Sequence, residues 1–283
     1  FKGILVNLGT QAINGLLNGL KSLGSALVDV GKQAIASYAD YEHLTGGVET
    51  LFKDSADVVE NYANNAYKTA GLSANEYMET VTSFSASLLQ SLNGDTAKSA
   101  EVADMAITDM ADNANKMGTS MSSIQSAYQG FAKQNYTMLD NLKLGYGGTK
   151  TEMKRLIDDA NEYGKSIGQA SDLSINSFSD IVTAIDLIQQ KQKIAGTTSR
   201  EASTTIEGSF NSLKAAWDNL VTGFADSDAD ISRLMQNVVS SAVTAGKNYY
   251  ISCRLHGGYV AYEFCSVSGG EYETLRYETA GRE

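Results

Sequence analysis

Proline is absent from all 283 residues. Ordinary usage is about 5%, so the chain avoids the one residue that kinks or stops helices. Cysteine is scarce: Cys253 and Cys265 are the only two. That excludes a disulfide scaffold and a four-thiolate zinc site. Histidine occurs twice, as His43 and His256, and tryptophan once, as Trp217. Positive charge is in deficit, 22 Lys and Arg against 33 Asp and Glu, for a net charge of -11. Such a balance argues against direct sequence-specific nucleic-acid binding, which needs a basic surface. No run of about 20 apolar residues spans a bilayer. No basic stretch precedes an apolar run with a cleavage site, so no signal peptide is read. The chain opens on Phe1, which reads as the start of an internal fragment.

What is present is helical periodicity. In residues 4–36, Ile13, Leu16, Leu20, Leu23, Leu27, Val30 and Ala34 follow spacings of three and four, a heptad seam. Gly15 and Gly19 would admit a close-packed helix. The glycines weaken this segment, at about 1 kcal/mol each relative to alanine. Coiled-coil or bundle packing is expected, with contact to a host membrane as the other reading of residues 4–36. Around a break at Gly46–Gly47, Tyr38, Tyr41, Leu51, Phe52, Val58, Val59, Tyr62 and Tyr67 are helically spaced. Ser73 and Glu76 form a capping box for a helix carrying Met78, Val81, Phe84, Leu88 and Leu92. Asp95 caps the next, where Ala100, Ala103, Met105, Ile107, Met110 and Ala111 predict tight packing; a metal or partner groove is the weaker reading of its methionines. Met153, Leu156, Ile157 and Ala160 mark a helix over 149–163, and Ile181, Ala184, Ile185 and Ile188 another over 177–194. Thr198 and Glu201 are read as a capping box opening one helix towards Phe224. Its stripe of Phe210, Leu213, Trp217 and Leu220 places Trp217 as a core anchor.

Between these lies YQGFAKQNYTMLDNLKLGYGGT, Tyr128 to Thr149. Gln129, Gly130 and Phe131 end a helix, Asn135 to Thr137 break it, and Met138 to Leu144 form a second apolar turn. Gly145, Gly147 and Gly148 are read as positions of positive φ that reverse the chain. Valine at Gly147 and Gly148 is expected to destabilise for that reason. Thr149 with Glu152 reads as a capping box.

This stretch strongly resembles the core of phage tail tape measure proteins. The resemblance extends to GGVETLFKDSAD (46–57), TAGLSANEYMETVTSFSASLLQSL (69–92), ADMAITDMADNANKMGT (103–119) and FNSLKAAWDNL (210–220), covering roughly Tyr38 to Gly246. It implies a structural protein inside the tail tube of a virion, whose length sets tail length and which leaves ahead of the DNA. It also implies tail tube protein, tail assembly chaperones and tail-tip or baseplate proteins as partners, with a homo-oligomer expected. A wholly helical chain of this size would span roughly 420 Å. The alternative function is a membrane-active helical protein of pore-forming or secretion-translocator type, resting on residues 4–36.

From Lys247 onwards tyrosines and both cysteines concentrate. Gly257–Gly258 and Gly269–Gly270 read as two-residue hairpin turns. They would pair Leu255 with Val260, Cys253 with Tyr262, Ile251 with Phe264 and Glu263 with Arg276. The expected fold is therefore mainly α, an elongated multi-helix bundle with coiled-coil segments and a small C-terminal three-stranded β-meander. It divides into a glycine-containing helix at 1–37, a helical core at 38–246 and the meander at 247–283.

No catalytic, cofactor or metal residue is assigned, and no enzyme is expected. His43 reads as structural. Cys253, His256 and Cys265 would straddle both faces of the meander, against a shared zinc. Asp226, Asp228 and Asp230 imitate the start of a calcium loop but lack its glycine and its twelfth-position glutamate, here Asn237. Gly164-Lys165-Ser166 lacks the strand and first glycine of a phosphate loop. Lys143 and Lys150 flank the central glycines, but chain reversal explains those glycines without an anion.

Overall fold

The structure, a computed structural model, describes residues 24–169 and 172–255. Helix α1 spans Gly24–Phe52 and passes through Gly46–Gly47 without a break. The glycine cost is outweighed there by the burial of Val48 and Phe52. The chain turns instead at Lys53, with φ 49°, into a 3-10 turn at Lys53–Ser55. Then follow α2 (Ala56–Thr69), α3 (Ala74–Ser91), α4 (Thr96–Met117) and α5 (Met121–Ala132). A second 3-10 turn, Leu139–Leu142, lies in the central stretch. Beyond it come α6 (Lys150–Ile167), α7 (Phe178–Lys191), α8 (Thr197–Thr204), α9 (Ile206–Gly223) and α10 (Ile231–Leu255).

Local chemistry sets many of these starts. Ser73 accepts from the Glu76 amide while the Glu76 carboxylate accepts from the Ser73 amide at 2.8 Å, a reciprocal capping box. Asp95, Ser120, Ser177 and Thr205 each accept from an amide three residues on. Two expected caps differ. Thr149 accepts from the Glu152 amide, but the Glu152 carboxylate turns back to Gly147 instead. Thr198 lies inside α8, which is separated from α9 at Thr205, so 198–224 is two helices.

One apolar core runs from Val48 to Ile194. It joins α1 to α7 through side chains such as Phe52, Tyr77, Leu88, Met110, Tyr128, Leu156 and Ile185. The stripes predicted for α3, α4, α6 and α7 all face it. Phe84 meets Phe178 edge to face, with centroids 6.2 Å apart. A smaller cluster joins Tyr67 of α2 to Ala215, Ala216 and Leu220 of α9 and Met235 and Val238 of α10.

The expected β-meander is not supported. Among the described residues there is no strand, and 247–255 continue α10. Period-2 pairing placed Ile251, Cys253 and Leu255 in a strand, but this segment keeps its helical hydrogen bonds. α10 packs along α9, and Asn248 Nδ2 donates to the Thr205 carbonyl at 3.1 Å. Tertiary context overrides the β propensity of Tyr249, Tyr250 and Ile251. Both glycine turns and the pairs beyond them lie outside the described residues, as do residues 1–23 of the N-terminal seam.

Candidate functional site

The central stretch is a knot clamped over the ends of α4 and α7. α5 closes at Lys133, and Gln134 takes φ 58°. The Asn135 Oδ1 accepts from the Thr137 amide (3.1 Å) and hydroxyl (2.8 Å), which tightens the next turn. Leu139, Leu142 and Leu144 then enter the core beside Tyr136. Lys143 sits at φ 53° and Gly145 at φ 88°.

Positive φ therefore falls on Gln134, Lys143 and Gly145, not on Gly147 and Gly148. Gly148 is required for a different reason. A Cβ there would collide with the Thr137 carbonyl oxygen and stand 2.9 Å from its carbon. At Gly147 a Cβ would meet only Glu152 Cγ, at 3.6 Å, an ordinary contact.

Side chains from distant elements hold the knot. Asn113 Nδ2 donates to the Leu142 carbonyl at 2.8 Å, Thr119 Oγ1 to Asn141 at 2.9 Å, and Gln192 Nε2 to Leu144 at 2.9 Å. Lys143 Nζ caps α4 by donating to the Met117 carbonyl at 2.9 Å. Arg155 stacks 4.4 Å from the Tyr146 ring centroid and donates to the Gly145 carbonyl and to Glu152. The Arg155 hydrogen bond, with the Gly147 amide, holds the Glu152 carboxyl below its usual range. Glu152 thus supplies, from within the chain, the anion that the glycine loop could have cradled.

Beneath the knot lies a buried acidic layer. Asp109, Asp112 and Asn113 occupy the core face of α4, and Gln189 that of α7. The Asp112 carboxylate reaches across to α8 and accepts from the Gly196 amide (2.5 Å) and the Thr198 amide (2.7 Å). A side chain 84 residues away in sequence therefore caps α8. Asp109 has no comparable partner. Burial, with the negative charges of Asp186 and Asp112, pushes its carboxyl well above the usual range. Burial likewise raises Asp186, whose Oδ2 accepts from Gln190 Nε2 at 2.8 Å. These polar core positions escaped the sequence reading. Their signal was three polar residues, Asp109, Asp112 and Asn113, inside an otherwise apolar helical face.

The motifs weighed for chemistry fall in separate parts of the fold. His43 is exposed on α1. Gly164, Lys165 and Ser166 lie within α6. Asp226 accepts from the Asp228 amide and Asp230 from the Arg233 amide, each at 3.0 Å, so the acidic turn leads into α10. Among the described residues, no three His, Cys, Asp or Glu are placed to hold a metal ion. Cys253 is in α10; His256 and Cys265 lie outside the described residues. On α9, Trp217 is only half-buried and Phe210 is 50% exposed. Ser209, Ser212, Ala215 and Ala216 face inwards with Leu220, and Leu213 and Trp217 pack against that cluster from its edge. Compared with family models, curated proteins and solved structures, the chain matches none.

Proposed function

We propose that this chain is part of a phage tail tape measure protein, a structural virion component that takes part in tail assembly, length setting and genome delivery. The observation that carries the reading is the resemblance of Tyr128–Thr149, with its four companion strings. The way these strings fold supports it. Residues 46–57, 69–92, 103–119 and 128–149 all contribute to one buried core. Lys143 and Arg155, the cations of the knot, donate to backbone carbonyls, which suits a mechanical element better than a reactive one. Its expected neighbours are tail tube protein, assembly chaperones and tail-tip proteins, with several copies of the chain together.

Purified particles test the reading. Peptides from 38–246 should be recovered by mass spectrometry from tails of DNA-filled particles and be depleted from tails that have ejected their DNA. Recovery only from the particle-free lysate would overturn the assignment. Enrichment in membrane fractions would favour the membrane-active alternative.

A further inference from the structure

The junction of α4, α5 and α7 contains three buried oxygen atoms without a hydrogen-bond partner: Asp109 Oδ2, the Tyr128 hydroxyl and Gln189 Oε1. All three residues are at least 98% buried, as Asp109 is 2% exposed and the other two 0%. The Gln189 side chain is fixed against α4, because its Nε2 donates to the Asp109 carbonyl at 3.1 Å. The titratable groups that act on Asp109 are Asp186 from α7 and Asp112 from its own helix, and Tyr128 from α5 feels both Asp109 and Asp186. Asp112 is committed to α8 and Asp186 to Gln190. No cation is among these neighbours. An ionised carboxylate is costly in such a setting, since no positive charge is at hand and no donor bonds Asp109 Oδ2 to compensate its lost hydration.

We propose that this junction is a proton-operated latch: the closed packing of α4, α5 and α7 requires a proton on Asp109, and loss of that proton loosens the seat of Tyr128. Tyr128 opens the central stretch and its ring meets Phe131 at a tilt of 44°, centroids 5.8 Å apart, and Phe131 in turn stacks on Tyr136 at 6.3 Å. The knot is thereby coupled to one buried acid. The folded state holds the proton more tightly than the unfolded chain does. The latch therefore stabilises fully below the ordinary aspartate range, and its contribution is lost as pH rises towards the folded-state value. Within that window the equilibrium constant for opening rises about tenfold per pH unit.

Hydrogen exchange of the full chain at pH 5, 7 and 9, corrected for intrinsic exchange rates, reads this directly. Protection over 124–146 should fall with pH in the wild type. Asp109→Asn, which mimics the neutral acid, should remove most of that fall, and Asp186→Asn, which deletes a negative charge that helps raise Asp109, should end it at lower pH. Equal pH slopes in wild type and Asp109→Asn would overturn the latch. A measurement on the wild type alone guards against variants that fail to fold. Its infrared spectrum at pH 7 should contain a protonated-carboxyl band, and absence of that band would also overturn the proposal.

Discussion

At the scale of single residues, the central glycines show how a correct turn can be read for the wrong cause. The cluster Gly145, Gly147, Gly148 announces a chain reversal, and a reversal is there. Which glycine needs its missing Cβ, and why, depends on where Thr137 passes, and that is a tertiary fact. Gly148→Ala should destabilise by about 1–3 kcal/mol, the usual cost of overpacking a tight site, because Thr137 presents backbone that cannot swing aside. Gly147→Ala should fall within about 0.5 kcal/mol of the wild type. Denaturation midpoints of the two variants check this. Equal losses would mean that conformational freedom, not close approach, governs the loop. The buried acids were illegible for a similar reason. Asp109 and Asp112 share a helix face three residues apart, yet one is an oxygen without a partner and the other a cap on α8.

At the scale of elements, starts set by neighbours in sequence were legible, and starts set across space were not. Ser73 with Glu76 and Asp95 with Lys98 satisfy amides within one turn, so the pattern alone finds them. The α8 start was misplaced to Thr198 because its acceptor, Asp112, comes from α4. Asp112→Ala should cost about 3 kcal/mol, since it removes the charged acceptor of two part-buried amides. Asp112→Asn, which keeps one acceptor, should cost roughly half of that. Thermal melts with exchange mapping of 196–205 distinguish the cases. Loss of protection confined to α9, with α8 unchanged, would contradict the capping role. Stripes were readable where both sides of a helix differ strongly, as on α6, where Met153, Leu156, Ile157 and Ala160 are buried. On α9 the predicted stripe is only half right: Leu220 is buried and Leu213 and Trp217 pack at the cluster's edge, but Phe210 is exposed and small residues fill the centre. The meander failed because alternating pairs were fitted to residues that α10 binds as a helix; propensity decides little when a packed neighbour is available.

At the scale of the whole molecule, a chain without proline and with a net charge of -11 reads as helical and acidic, and the described residues are helices joined by short turns. The main apolar core runs from Val48 through α7 to Ile194. On the proposed tape measure reading, reach along the tail and folded bulk would be different properties of different parts. A straight helix contributes about 1.5 Å per residue to span, whereas α1 to α10 fold back on one another and have no proportional span to lose. The most direct measurement is tail length in electron micrographs of particles from in-frame deletions in the parent gene. Removing about 60 residues from extended helix outside the bundle should shorten tails by up to about 90 Å. Removing Tyr128–Thr149 should abolish assembly without producing shorter tails. Tails of unchanged length after the first deletion, or normal tails after the second, would contradict the account.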